Sequence, residues 1–224
     1  MTGPSSTYAA RYASVVTDRS DARLHAPTFE RNNPIMIARL VPLFADRSGP
    51  VLEIGCGSGQ HAGAFTIAFP HLDWWPSDLH QAHRDSTDAW RAHLRLPERA
   101  ALSLDATMDW AVSPEVSALG PLQAVVSMNV IHIAPLAVLE GIVSGAAKVL
   151  TPGGLLIFYG PFKEDGAHTG EGNATFDASL RAENPDWGIR DVDDVAALAD
   201  DAGLDFHSLQ EMPANNRLLV FSKA

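Results

Sequence analysis

The chain holds one cysteine, Cys56, among 224 residues. A single thiol cannot close an internal disulfide, so the expected compartment is a reducing one, the cytoplasm. Long apolar runs are missing too; a membrane-crossing helix needs about 20 such residues, so no membrane partner is expected. The opening stretch MTGPSSTYAARYAS has no apolar core of the kind a secretion signal requires. Basic residues are scarce: 16 Lys and Arg stand against 27 Asp and Glu, a net charge of −11. They form no cluster, whereas a nucleic-acid binder presents a basic face to phosphates. The expected partner is therefore a small molecule and not a nucleic acid. The nine histidines form no metal set. His80 and His83 stand one helical turn apart without further ligands in register, so no metal is expected. Nothing in the pattern sets an oligomeric state.

What is present suffices for one folded α/β domain, with 46% apolar residues. The richest stretch runs from Val51 to His61 and reads VLEIGCGSGQH. Val51, Leu52 and Ile54 form a short apolar run that reads as a buried strand. Gly55, Gly57 and Gly59 then break it, and a helix-compatible stretch follows. Without Cβ atoms such a turn bends sharply and lets the backbone approach a ligand. Strand, glycine turn and helix is how α/β folds hold nucleotide-like cofactors, although a tight turn with no ligand has the same pattern. A dinucleotide fingerprint, G-x-G-x-x-G, would place its last glycine where this chain has Gln60. Glu53 lies inside the motif, where a phosphate gains nothing from negative charge. A cationic or hydroxyl-rich ligand suits it better.

Alternation of strand and helix patterns along the rest of the chain predicts a doubly wound, mostly parallel sheet. Strands are expected near 51–55, 72–77, 101–104, 124–128, 155–159, 205–212 and 217–222. The last two form a hairpin, so the final strand runs antiparallel. Asn33 and Pro34 read as the cap and first residue of an early helix. Ile35, Ile37, Leu40, Val41 and Phe44 supply that helix with an apolar face. Residues 1–22 read as an arm, partly disordered, and 23–224 as a single domain. Within it, 160–190 lacks a clear period and reads as a lid-like insertion with a short helix near 176–182.

The E-x-G-x-G-x-G form of Glu53 to Gly59 resembles motif I of the class I S-adenosylmethionine-dependent methyltransferases. That resemblance implies a Rossmann-like, seven-stranded sheet and S-adenosyl-L-methionine as cofactor, with S-adenosyl-L-homocysteine as product. It implies that Glu53, Gly55, Gly57 and Gly59 line the methionine part of the cofactor. Asp78 ends the second strand, 19 residues after Gly59, a spacing at which an acid accepts from both ribose hydroxyls. Leu79 is expected against the adenine face. Asp105, with the backbone of Ala106 beside it, corresponds in these enzymes to the group that meets the adenine amino nitrogen. Asn129 and His132 follow the fourth strand, close to where the sulfonium is expected. Asn129 is a hydrogen-bonding group for cofactor or acceptor, and His132, of unperturbed pKa near neutrality, is the candidate general base. Tyr159 and Phe162 are candidates for the acceptor pocket. Cys56 reads as a small filler.

A narrower resemblance covers residues 23 to the C-terminus. It rests on FERN at 29–32, LEIGCGSGQH at 52–61, WPSD at 75–78 and NVIHIAP at 129–135. YGPF at 159–162, NPDWGIRD at 184–191 and MPANN at 212–216 complete it. These segments resemble a bacterial domain-of-unknown-function family whose animal relatives are called methyltransferase-like proteins. The resemblance adds Arg31, Asn32, Trp187 and Asn216 as pocket candidates. The expected function is transfer of a methyl group to an O, N or S nucleophile of a small molecule. A non-catalytic module that binds the same cofactor, and an NAD-dependent oxidoreductase, are the alternatives.

Overall fold

The computed structural model describes residues 21–224; the expected arm at 1–22 lies almost wholly outside them. Nine strands and seven α-helices alternate among the described residues. The strands are β1 (Gly49–Ile54), β2 (Leu72–Asp78), β3 (Leu102–Ser103), β4 (Leu122–Met128), β5 (Leu150–Glu164), β6 (Ala167–His168), β7 (Arg190–Asp191), β8 (Leu204–Met212) and β9 (Asn216–Lys223). The helices are α1 (Phe29–Phe44), α2 (Gln60–Ala68), α3 (Gln81–His93), α4 (Pro114–Ser117), α5 (Leu136–Val149), α6 (Glu171–Glu183) and α7 (Val192–Asp201).

Seven strands form the main sheet in the order β3-β2-β1-β4-β5-β9-β8, and the two-residue strands β6 and β7 pair off β5. β1, β2, β3, β4 and β5 run parallel. β9 enters antiparallel between β5 and β8. This is the doubly wound sheet with an antiparallel last strand that the pattern predicts. Strand order reverses beside β1, whose neighbours are β2 and β4, and in open α/β sheets that crevice is where ligands bind.

Each sheet face carries its own apolar core. On one, Leu52, Val125, Leu156 and Leu219 pack under α5 and α7. On the other, Val51, Trp74, Val126 and Ile157 pack under α1 and α2. Strands buried on both faces read as continuous apolar runs, which is why they are legible from sequence. Among the described residues no helix is long and apolar enough to cross a membrane.

Three local expectations are corrected. α1 starts at Phe29, so Pro34 lies inside it and Asn33 is not its cap. The chain tolerates this because the N–H that proline lacks would have reached Glu30, and both residues sit on the exposed side. The buried stripe of α1 is Asn32, Met36, Leu40 and Phe44; Val41, assigned to the apolar face, is half exposed. Within 160–190 the expected short helix is the 13-residue α6, and β5 itself continues to Glu164.

Candidate functional site

The turn after β1 uses its three glycines in three ways. All have positive φ, at 80, 56 and 82° for Gly55, Gly57 and Gly59. A Cβ on Gly55 would fall 2.4 Å from Val130 Cγ2, so this glycine admits the loop after β4. A Cβ on Gly59 would fall 2.4 Å from the Thr87 Cα, so this one lets α3 close on α2. Gly59, expected beside the cofactor, does not line the cavity described below; helix packing is what requires it. A Cβ on Gly57 would meet nothing within 4 Å, and this glycine faces the cavity. Gln60, which stands where a dinucleotide site needs glycine, accepts the Ala26 N–H at 2.6 Å. Leu24 is held by Ser86 and Trp90, so residues 24–26 are tied across the turn.

A cavity of about 560 Å³ opens at the C-terminal edge of the sheet, above the point where strand order reverses. Its size is that of a small-molecule site. Glu53, Asp78 and Asp105 reach it from the ends of β1, β2 and β3, joined by Leu79 and Ala106. Glu53 is buried, and its Oε2 accepts the Trp74 indole N–H at 2.7 Å. Burial, aided by the charge of Asp78, pushes its pKa up to about 7. Asp78 is buried as well, which raises its pKa, but hydrogen bonds and charge outweigh that and the net shift is downward. Oδ2 lies 3.1 Å from His83 Nδ1 and accepts the Gly57 N–H, while Oδ1 accepts the His80 N–H. Asp105 caps its own loop, Oδ1 accepting from the Thr107 N–H and hydroxyl. Leu79 is half exposed, an apolar side chain on the cavity wall. Burial raises the Cys56 thiol pKa well above its ordinary value, so this side chain is a filler against Thr87 and not a thiolate.

The other end of the cavity is built by β4, β5 and the segments that cross them. Asn129 holds φ 57° and donates its N–H to the Tyr159 carbonyl, a strained position for a non-glycine residue. His132 is buried on the cavity wall, with its Nδ1 unpartnered. Burial, and secondly the Arg190 charge, lower its pKa to about 3. The near-neutral value expected of this histidine is thereby corrected: the ring is neutral at physiological pH and a weak base. Arg190 fastens the same loop, donating to the Ile131 and Ala134 carbonyls. Arg31, Asn32, Trp187 and Asn216 all line the cavity.

Tyr159 and Phe162 do not. Phe162 is packed in the core under α7, because its side of β5 faces that helix. Tyr159 lies in the opposite core and reaches the site only through its hydroxyl, which accepts from Asn216 Nδ2. Several wall residues were not among the expected site residues, among them His61, His83, Asn173 and Phe176. His61 closes the glycine motif and His83 lies five residues beyond Asp78 on the next helix, so both were within reach. Asn173 and Phe176 arrive on α6, and Phe176 meets the His132 ring edge-on at 5.6 Å. Asp177 anchors α6: it accepts the Ile189 N–H and is paired with Lys163, His168 and Arg181. Among the described residues no group of three or more His, Cys, Asp or Glu is arranged to hold a metal ion.

Comparison with known proteins gives a family and a fold. Residues 23–223 match the family described as Protein of unknown function (DUF938). An O-methyltransferase family protein from Burkholderia thailandensis superposes with a TM-score of 0.68 at 17% identity, over 86% of this chain and 58% of its own. The N-methyltransferase NodS from Bradyrhizobium japonicum WM9, in complex with S-adenosyl-L-homocysteine, gives 0.62 at 16% identity over 96% of both chains. Magnesium protoporphyrin IX methyltransferase from Synechocystis PCC 6803, with bound S-adenosyl-L-homocysteine, gives 0.62 at 15% identity, covering 85% of this chain and 81% of its own. The chain thus spans less than three fifths of the Burkholderia protein. At these identities the likeness is one of fold, the Rossmann-like fold of methyltransferases.

Proposed function

We propose, from the premise that the chain belongs to the DUF938 family of proteins of unknown function, that it is an S-adenosylmethionine-dependent methyltransferase acting on a small molecule. The observation that carries this reading is the row of carboxylates, Glu53, Asp78 and Asp105, at three adjacent strand ends around one cavity. S-Adenosylmethionine bears a sulfonium, an ammonium, two ribose hydroxyls and an adenine amino group, and no phosphate. Those groups are cations or hydrogen-bond donors, which the protein's carboxylates accept; the cofactor's own α-carboxylate is the one anionic group it brings. No Lys or Arg from β1, β2 or β3 lines that end among the described residues, so a pyrophosphate would find no counter-charge there. The open Gly57 gives the chain room for a ligand against its backbone.

When bound, the cofactor supplies an electrophilic methyl on sulfur. The protein's part is to hold and align. Asp78, held ionised by His83 and two backbone N–H groups, accepts from the ribose hydroxyls. Glu53 balances the cationic methionine end, Asp105 and Ala106 meet the adenine edge, and Leu79 covers its face. Asn129 orients the acceptor. His132 takes a hydrogen bond from an O, N or S nucleophile as a neutral imidazole. Its low basicity favours acceptors whose lone pair needs little help from a base. α6 and the loop to Gly188 act as the lid that excludes water. Orientation of this kind accounts for up to roughly 7–11 kcal/mol of a barrier.

Calorimetry with S-adenosylhomocysteine tests the reading. The wild type binds it, and Asp78→Ala weakens binding roughly 10–100-fold, the loss of one charged hydrogen bond at about 1.5–3 kcal/mol. His132→Ala keeps the affinity within about twofold while slowing transfer. Unchanged affinity in Asp78→Ala overturns the ribose assignment, and a wild type that ignores S-adenosylhomocysteine overturns the donor itself.

A further inference from the structure

The cavity is electrically divided, and this bears on what receives the methyl group. Its three carboxylates stand over β1, β2 and β3. Its single Lys or Arg among the described residues is Arg31, which comes from α1 and not from these strands. Arg31 lies in the first turn of α1, where the helix dipole adds positive potential. Its Nε donates to the Oδ1 of the buried Asn32 at 3.1 Å, which fixes the stem of the guanidinium. Its two terminal nitrogens have no partner among the described residues. The Arg31 charge acts on the Tyr159 hydroxyl at β5, where it opposes the rise that burial imposes. The charge acting on Glu53, by contrast, is that of Asp78. The guanidinium is thus within electrostatic reach of the Tyr159 hydroxyl, which accepts from Asn216.

We infer that Arg31 is the anchor for a carboxylate on the acceptor, so that the substrates are small carboxylic acids with a planar apolar body. This rests on the methyltransferase reading and names its substrate class. A guanidinium whose two terminal nitrogens are unpartnered among the described residues matches a carboxylate bidentately, and a fixed stem reduces the entropy lost on binding. Phe176 and Trp187 line the same cavity, and flat rings of that kind pack against a planar ligand. The acids at β1, β2 and β3 repel an anionic acceptor, and Arg31 attracts its carboxylate. The weak base at His132 leaves the acceptor's binding charge, and not proton removal, as the main handle on it.

The test uses the full chain saturated with S-adenosylhomocysteine and ligand-observed NMR titration. The probes are benzoate, phenylacetate and 4-hydroxycinnamate, each beside its primary amide. The acids bind at least about tenfold more tightly than the amides in the wild type, and Arg31→Met removes that preference. Arg31 is exposed, so this variant keeps its fold, which a melting curve verifies. Equal binding of acid and amide, no binding of any acid, or a preference that survives Arg31→Met overturns the inference. A parallel titration with 5′-deoxy-5′-methylthioadenosine, which lacks the amino-acid part of the cofactor, separates the one competing source of a carboxylate. If Arg31→Met weakens S-adenosylhomocysteine but not the truncated nucleoside, Arg31 holds the cofactor and the inference falls. Failure of the wild type to bind either nucleoside strikes the donor reading instead.

Discussion

Glu53 keeps its proton up to about pH 7, because burial removes the water that would solvate its charge and Asp78 repels that charge. Its ordinary value is 4.5. A carboxyl raised on folding stabilises the protein fully below the unfolded value, and that contribution fades as pH rises through the folded one. For Glu53 the window runs from 4.5 to about 7, and the shift corresponds to ~3 kcal/mol. Glu53→Gln is therefore expected to stabilise the ligand-free protein at pH 8 by up to ~3 kcal/mol and to do little at pH 4, read from urea melts at both values. A cation beside Glu53 favours its ionised form. Donor affinity thus rises with pH through 7 in the wild type and is flatter in Glu53→Gln; identical pH dependences in calorimetry refute the pairing. Sequence marked Glu53 as a carboxylate by its place in the motif. It did not show the abnormal pKa, nor that of His132, since desolvation is a property of the assembled interior.

At the scale of elements, one motif contains two separable glycine roles. Gly57→Ala meets no atom and costs about 1–2 kcal/mol for a left-handed conformation, but it projects a methyl into the cavity. Binding of S-adenosylhomocysteine suffers more than stability does. Gly59→Ala adds a contact of 2.4 Å to the α3 backbone and is expected to cost about 2–4 kcal/mol of stability. Chemical melts of both variants, with calorimetry on each, check the contrast; equal losses of stability refute it. The boundaries of α1 and α6 were less legible than the glycine turn. Asn33-Pro34 looks like a helix start, yet Asn32 N–H already bonds to the Thr28 carbonyl and closes a turn before the proline. α6 shows little period because its buried residues include Asn173 and Asp177, held by hydrogen bonds and ion pairs in place of apolar packing.

For the whole molecule, a ligand that binds only the folded state stabilises it by mass action. S-Adenosylhomocysteine at a hundredfold excess over its Kd adds about 2.7 kcal/mol, which raises the melting temperature by roughly 5–10 °C for a domain of this size. NADH at the same concentration gives no shift; a shift with NADH alone favours the oxidoreductase alternative. The sequence alone determined the sheet, its central strands and the carboxylates at the strand ends around the cavity. Those depend on short-range features: apolar runs, a glycine turn, and acids at the ends of consecutive strands. Only the tertiary structure decided the rest of the cavity wall. It brings residues 26–32, 129–132, 173–187 and 214–216 to one wall, turns Phe162 into the core, and gives Glu53 and His132 their shifted pKa values. No local pattern encodes these, because each depends on which distant segment excludes water from it.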